Sequence, residues 1–560
     1  MKLLNFSIGQ VQTIQFGAEV IKTAHIKAPV AEPWVITEDG AAGDRRAVHP
    51  DKLYAYARSS YDYWGNHLGI DPARWPDGFF GENLTLDTLD EEEVRVGDEF
   101  ALGDEVRLVV AGARTPCAKL AWRLSQPRTF QRTFALSRRT GVYLGVLATG
   151  VVRPGDALRR IRYDPAMPSI ADVCDFVASH APPPLEPLRR LLAFAHLSPT
   201  IRLLLGSKLD AAERAAETVE GHWRGWRRFV IDQVVEEARD IRSFHLRPAD
   251  GAALCPPRPG QFVSVRMTGD DGRPITRSWS LSAFAHDMAE YRLTVRRQSG
   301  AGSIWLHRAE AGAEVMLRAP AGDFVLDMGF RPVALVAAGI GITPLLAMLH
   351  AHLARPRPTP VYLIYGGRTP EELAFRAELD ALAAAHPALT VTYVYSRSDA
   401  GGRALSRITP ELVIGALAGL HVVMEDHRIE LPWFEADIYL CGPGAFCTDL
   451  RAAFIARGAN PDHIFLERFE AAAAEVSTLE TAQVEFARSG VTLDWHANDD
   501  ATLLDLAEQA GIAIESDCRA GTCQTCRTHV LAGETTAATG DGAALLCIGR
   551  PKTARLLLDA

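Results

Sequence analysis

The sequence predicts a multidomain protein. It reads as an all-β barrel followed by a small helical module, then an antiparallel β-barrel, an α/β domain and a small C-terminal domain. Three observations carry this reading. Short β-like runs such as VRLVVAGA and GVYLGVLATG, with Gly-Asp turns at Gly97-Asp98, Gly103-Asp104 and Gly155-Asp156, fill the first stretch. Strands and helices alternate between residues 331 and 470, the pattern of a parallel sheet with covering helices. Four of the nine cysteines crowd close to the end of the sequence, at Cys518, Cys523, Cys526 and Cys547.

Taken in order, residues 1–162 form the first β-rich domain, interrupted by one helical-looking segment, DKLYAYARSSYDYWGNHLG. Residues 163–218 change to helical spacing in SIADVCDFVASH, LEPLRRLLAFAHL and IRLLLGSKLDAAERAAE, broken by the three prolines at 182–184. The β pattern returns over 222–328 in RRFVIDQVV, FVSVRM, YRLTVRR and EVMLRAP. Over 331–470, PVALVAAG, VYLIYG, VTYVYS and DIYLCG alternate with helical LLAMLHAHLA, LAFRAELDALAAA and FCTDLRAAFIARG. The Ala/Glu-rich EAAAAEVSTLE reads as a linker to a last domain over 480–560. No internal repeat is visible.

At 560 residues and a formal charge of −10, the chain can bury large cores and offers no broad basic surface for nucleic acid or anionic lipid. No apolar run approaches the roughly 18 residues of a membrane-spanning helix. The opening MKLLNFSIGQ has no signal-peptide core, so a cytoplasmic protein is expected. Nine cysteines in so long a chain do not read as a disulfide framework.

The cysteine run C-R-A-G-T-C-Q-T-C, with Cys547 after it, has the C-x4-C-x2-C…C order of plant-type 2Fe–2S ligands. Three thiolates on one tight loop can wrap an iron pair and a distant fourth closes it. Ala520, Gly521 and Thr522 are small enough for backbone N–H groups to approach the sulfides. A zinc site is the alternative, but zinc usually uses C-x2-C pairs and only one exists here. Four Cys ligands predict a potential on the order of −400 mV. The domain resembles β-grasp 2Fe–2S ferredoxins.

R-S-W-S at 277–280 resembles the flavin motif of the ferredoxin–NADP reductase superfamily. Arg277 can pair with a flavin phosphate, Trp279 offers an aromatic face, and Ser280 can hydrogen-bond the flavin N5 region. In GAGSIWLH, free N–H groups at Gly302 and Ser303 could hold phosphate. The stretch VALVAAGIGITPLLAML reads as a buried strand, a Gly-rich turn with Gly339 and Gly341, and a helix opened by Thr343 and Pro344. DIYLCGPGAF sets Cys441, Gly442 and Pro443 at a strand's carboxyl end, where ligands sit in such sheets. These pieces resemble the nicotinamide domain of the same superfamily, and the order flavin, nicotinamide, ferredoxin resembles phthalate dioxygenase reductase. The flavin-domain wording also resembles flavohaemoglobin reductase halves. The resemblance implies FAD, with FMN as the alternative, and NADH or NADPH. Phe469 in LERF is either near the flavin or core. Ser396-Arg397 and Arg403 are either a grip for a 2′-phosphate or solvated loop charges.

At the N-terminus, GDRRAVHPDKLYAY, YDYWG, GFFGENL, VRVGDEFALG and ARTPCAKLAWRL resemble a MOSC domain, and the helices after it resemble the three-helix appendage of bacterial two-domain MOSC reductases. Those relatives hold molybdenum cofactor and reduce N-hydroxylated compounds such as 6-hydroxylaminopurine. The resemblance implies that Cys117 ligates molybdenum, a metal that accepts soft thiolate. Arg114 and Lys119 flank Cys117, and neighbouring cations favour thiolate. Arg45, Arg46, His49 and Lys52 are positive partners for the pterin phosphate, and Asn83 could bond pterin or substrate. Asp44 is read as a partner of Arg45 or Arg46. Where relatives often read HGG, this chain has His49-Pro50-Asp51. Cys174, Cys255 and Cys447 have no motif around them and read as structural.

Together these pieces imply an NAD(P)H-driven reductase acting on a small N-hydroxylated molecule through flavin, 2Fe–2S and molybdenum, as a monomer or homodimer. The alternative is the electron-donating component of a multicomponent oxygenase, with the MOSC part as a docking or sulfur-carrier module.

Overall fold

A computed structural model of the chain describes all residues except 17–18, 46–49, 179–182, 217–222, 224, 271, 273, 286, 328, 398–405, 425–426, 470–476, 500, 515, 517–520, 522–524 and 540–541. Among the described residues, no helix is long and apolar enough to cross a membrane.

The first domain is built on an eight-stranded sheet. Its order is Leu158–Arg162, Glu99–Leu102, Val106–Ala113, Val142–Ala148, Leu53–Ala57, Leu84–Leu86, Leu3–Gly9 and Lys27–Pro29. All neighbours run antiparallel except Leu53–Ala57 and Leu84–Leu86. The domain is not all-β as expected. Besides the anticipated helix Arg58–Leu68 it carries Ala118–Arg123 and Phe130–Leu136. Their apolar residues Leu120, Ala121, Phe130 and Phe134 join Trp64, Phe80 and Tyr56 in an aromatic core of their own. Helices of six and seven residues show too little periodicity to be read from sequence.

The three predicted helices are present, at Ile170–Ala178, Leu185–Ala193 and Pro199–Ala216. They do not stand apart as a module. Val173, Leu188, Leu191, Ile201 and Leu205 share one core with Phe6, Val96 and Leu108 of the sheet.

Next comes a six-stranded antiparallel sheet in the order Pro274–Ser280, Phe262–Thr268, Glu314–Leu317, Arg227–Ala238, Ile241–Pro248 and Tyr291–Arg296. A bridge between Leu281 and Leu293 brings its two edges together, which closes the barrel and removes the exposed edges. The α/β domain has five parallel strands, ordered Leu389–Tyr395, Val361–Gly367, Val333–Ala338, Asp437–Gly442 and Ile464–Arg468. Helices cover both faces, which is why VALVA reads as an unbroken buried run. The last domain is a five-stranded sheet, Val491–His496, Thr481–Phe486, Arg555–Leu558, Arg527–Ala532 and Ala543–Leu545. Its helix Leu503–Gln509 starts on a reciprocal Thr502–Asp505 capping box.

One joint links the two halves of the protein. The hairpin Gln12–Phe16 and Glu19–Thr23 presents Phe16 to Phe434 of the α/β domain, ring centroids 5.5 Å apart and stacked. Arg128 lies 3.2 Å over the Phe434 ring. Ala118 and Trp122 of the helix that follows Cys117 pack into the same cluster. Phe16 is 5% exposed, so Phe16→Ala is expected to cost about 3 kcal/mol. The expected readout is faster amide hydrogen exchange in both the hairpin and the turn Trp433–Glu435. Unchanged protection in that turn would contradict the joint.

Candidate functional site

A cleft of about 1290 Å³ opens between the six-stranded barrel and the parallel sheet. It gathers most of the flavin and nicotinamide motif residues. Arg277, Trp279 and Ser280 line it from the barrel strand, Ser303 from the following helix, and Gly339, Gly341 and Thr343 from the Gly-rich turn. Gly442, Pro443 and Phe469 line it from the strand ends. The cleft thus sits at the carboxyl ends of Val333–Ala338 and Asp437–Gly442, where the strand order reverses and ligands are expected.

Local geometry explains several of these positions. A Cβ on Gly341 would stand 2.3 Å from the Cys441 carbonyl oxygen, so only glycine lets the turn close onto the neighbouring strand. A Cβ on Gly302 would meet the Arg277 side chain at 2.7 Å, so this glycine seats the helix Ala301–Arg308 against the flavin motif. The Ser303 hydroxyl is bonded to the Gln298 and Gly300 carbonyls and ties its own loop. Thr343 likewise donates to the Ile340 carbonyl at 3.1 Å. Both side chains shape the turns and leave ligand contact to backbone N–H groups. Phe469 is 44% exposed on the cleft, which sets it apart from core aromatics. Cys441 is fully buried behind the cleft, and burial, then Glu467, push its thiol well above the usual range.

Sequence reasoning missed Glu467, the residue two before Phe469. It lines the cleft, accepts a hydrogen bond from Ser280 and keeps Oε2 buried without a partner. Burial pushes its carboxyl up to about 8, with the Ser280 bond opposing. Glu467 therefore holds a proton at neutral pH beside the flavin motif. In the unfolded chain it ionises near 4.5. Between these values the folded state binds more protons, so stability falls as pH rises from about 4.5 to about 8. One pKa unit corresponds to about 1.4 kcal/mol. Glu467→Gln should flatten this part of a melting-temperature profile recorded from pH 5 to 9. A wild-type profile already as flat as the variant's would refute the assignment.

The second candidate site surrounds Cys117. Cys117 is partly exposed, whereas the other described cysteines are buried. Arg114, 4% exposed, sets Nη2 3.8 Å from the Cys117 sulfur and leaves Nη1 buried without a partner. The guanidinium is held between the rings of Tyr54 and Phe134, at 5.7 and 5.4 Å. His25, unread in the sequence, has a buried, unpartnered Nε2. Burial, then the charges of Arg114, Arg123, Lys119 and Lys27, hold it well below the ordinary histidine range. A neutral imidazole among four cations, with unpartnered nitrogens on His25, Arg114 and Arg123, is a donor set suited to an anionic group.

Other N-terminal expectations change. Asn83 is 1% exposed, donating to the Ser7 carbonyl at 3.1 Å and accepting from the Tyr54 amide at 3.2 Å. It ties strands together through these backbone partners. Asp44 pairs with Lys27 at 3.1 Å. Arg45 is exposed, and the exposed Lys52 donates to the Glu38 carbonyl. Arg46 and His49 lie outside the described residues.

Of the four cluster cysteines, the structure brings Cys526 and Cys547 together. The Cys547 amide donates to the Cys526 sulfur at 3.4 Å, an orientation that stabilises thiolate charge. This arrangement fits an iron–sulfur ligand pair. Cys518 and Cys523 lie outside the described residues, as does Arg403.

Three family models match the chain: a MOSC domain over residues 42–159, an oxidoreductase NAD-binding domain over 335–452, and a 2Fe–2S iron–sulfur cluster binding domain over 486–552. A flavohemoprotein of Burkholderia sp. (strain TH2) is 44% identical over 183 residues, 32% of this chain and 46% of that protein. The chain thus spans about half the length of that relative. The glycine betaine monooxygenase reductase subunit of Chromohalobacter salexigens is 28% identical over 351 residues, 57% of this chain and 92% of that protein. Among solved structures, phthalate dioxygenase reductase aligns at 27% identity and a TM-score of 0.44, covering 60% of this chain and 98% of that one.

These findings define an oxidoreductase in which a MOSC domain is fused to NAD-binding and 2Fe–2S domains. Its reductase half is an NAD(P)H-dependent flavin and 2Fe–2S module, similar to oxygenase reductase components.

Proposed function

We propose that this protein reduces N-hydroxylated substrates such as hydroxylaminopurines with electrons from NAD(P)H: R–NHOH + NAD(P)H + H⁺ → R–NH2 + NAD(P)⁺ + H2O. The proposed domains are 1–162 (MOSC), 163–218 (three helices), 222–328 (flavin), 331–470 (nicotinamide) and 480–560 (2Fe–2S). When bound, FAD supplies hydride acceptance, the 2Fe–2S cluster one-electron transfer, and molybdenum cofactor the two-electron removal of the hydroxyl oxygen. The observation that carries the reading is the Cys117 site, where a partly exposed sulfur sits beside a buried, half-unpartnered arginine and a neutral histidine.

Each group has residues suited to hold it. Arg277 lies on the cleft wall for a flavin phosphate, Trp279 offers its ring, and Ser280 with Glu467 can hold a proton at the reactive edge. The Gly339–Thr343 turn opens the helix Ile342–Leu353, a helix N-terminus whose backbone suits the dinucleotide pyrophosphate. Cys518, Cys523, Cys526 and Cys547 would hold the iron pair. Cys117 would hold molybdenum, with Arg114, Lys119, Lys27 and Arg123 balancing the charge of the pterin phosphate. His25, neutral and with Nε2 without a partner, can hydrogen-bond substrate or cofactor.

The test is metal analysis of protein made in cells competent for pterin synthesis, followed by anaerobic NAD(P)H titration with and without 6-hydroxylaminopurine. Molybdenum near one per chain and reoxidation of flavin and cluster by the purine are expected. Iron and flavin without molybdenum would end this reading. The similarity to a monooxygenase reductase subunit over 92% of that protein favours a second one. In it the cluster feeds an external oxygenase, and the MOSC domain is a docking or sulfur-carrying module. That reading predicts electron delivery to an oxygenase partner and none to the purine.

A further inference from the structure

The cleft described above runs from the flavin motif, past the Gly-rich turn, to the ends of the strands Val361–Gly367 and Leu389–Tyr395. Those two strands form the sheet edge farther from Glu467. A dinucleotide whose nicotinamide reaches Ser280 and whose pyrophosphate crosses the Gly339–Thr343 turn must therefore lay its adenosine on this edge.

The chemistry of that edge is cationic. Arg368 directly follows the strand beside the Gly-rich one, and Arg368, Ser396, Ser406 and Arg407 all line the cleft. Three backbone bonds hold the loops together: Ser396 N to Gly367 O at 3.0 Å, Arg397 N to Arg368 O at 2.9 Å, and Ser406 N to Tyr395 O at 3.1 Å. The two lining arginines are thereby carried to one end of the sheet. Among the described residues, neither the Arg368 nor the Arg407 guanidinium is engaged by an ion pair or hydrogen bond. Glu372 is the lining carboxylate on this side, while Asp449 and Glu467 lie on elements across the sheet. A site that selects the unphosphorylated ribose sets an acidic residue at this strand end to bond its 2′-hydroxyl, whereas arginine accommodates a 2′-phosphate. Here the strand ends in Gly366 and Gly367, and Arg368 follows it.

We infer that this edge is a 2′-phosphate site, built from Arg368 and Arg407 with the hydroxyls of Ser396 and Ser406, and that the protein selects NADPH over NADH. The inference rests on the reading of this cleft as the nicotinamide site. Two planar guanidinium forks offer paired donors to one phosphate, and the serines complete its oxygen contacts. Ser396 was legible in the sequence as a candidate. The two lining arginines were not, because one precedes and the other follows the intervening loop.

The test uses full-length protein carrying its cofactors. Calorimetry should find that adenosine 2′,5′-bisphosphate binds at least tenfold more tightly than 5′-AMP. In dye reduction, kcat/KM for NADPH should exceed that for NADH by at least tenfold. Arg368→Ala and Arg407→Ala should each lower the NADPH-to-NADH ratio of kcat/KM by tenfold or more, and Arg407→Lys should retain part of it. Equal binding of the two adenosine probes, a ratio at or below one, or a ratio unmoved by both alanine variants overturns the 2′-phosphate site while the nicotinamide cleft stands. Failure of both nucleotides to reduce the flavin overturns the cleft assignment as well.

Discussion

Cys117→Ala is expected to remove molybdenum from the protein and to lower hydroxylaminopurine reduction by at least about a hundredfold, since even supporting contacts around a metal act in the range of ten- to a hundredfold. NADPH-dependent reduction of an artificial dye should persist, because the cleft that lines the flavin motif contains no residue of the Cys117 loop. The fold should also persist. Cys117 is partly exposed at the start of a short helix and makes no side-chain capping bond there. Its sulfur only borders the aromatic core, so its removal takes away little packing and deprives Arg114 of a long, weak contact. The two activities must separate in this variant, and metal content must follow the purine activity. A Cys117→Ala protein that still reduced hydroxylated purines would sink the molybdenum assignment, whatever its metal content.

Cys526→Ser should have the larger structural effect. Cys526 is 1% exposed in the core of the last domain, next to Cys547 and Leu546. Its sulfur accepts the Cys547 amide, and a serine oxygen is a poorer ligand for iron and shorter in reach. Iron content should fall to background and the visible absorption of the cluster should disappear. The domain should also melt earlier, because cluster binding contributes folding free energy directly. Reduction of cytochrome c, which needs single electrons, should fall more than tenfold. Ferricyanide reduction at the flavin should change little. An iron-replete variant would mean that Cys526 is a core cysteine and that the ligand set lies elsewhere.

The parts of this protein that were legible in the sequence are those whose chemistry is local. A C-x4-C-x2-C run, an R-S-W-S strand and a Gly-Ile-Gly turn each concentrate their function in fewer than ten consecutive residues, and the structure brings the last two to a single cleft. Parallel strands buried on both faces announce themselves as unbroken apolar runs, so the strands of the α/β sheet were readable, whereas the short helix Pro410–Ala416 and the hairpin His421–Met424 and His427–Glu430 were not. The illegible parts depend on distance in sequence. His25 reaches Arg114 across 89 positions, and nothing in the stretch TAHIK foretells an imidazole sealed among cations. Glu467 owes its raised pKa to burial, which outweighs the opposing bond from Ser280, a partner distant in sequence. Asn83 differs in the opposite direction. Its place in the GENL motif suggested a ligand contact, but its two partners, Ser7 and Tyr54, are backbone groups that no motif could have named. The short helices behind Cys117 were missed because they hold fewer than two full turns.

The stacked rings of Phe16 and Phe434 bear on how this gene fusion can be taken apart. Cutting between the third helix and the following barrel would leave Phe16, Trp122, Trp433 and Phe434 facing water, two on each fragment. Contiguous aromatic surface of that kind drives self-association. The fragments would then behave as complementary sticky halves that find each other or aggregate, and not as independent cassettes that could be traded freely among reductases.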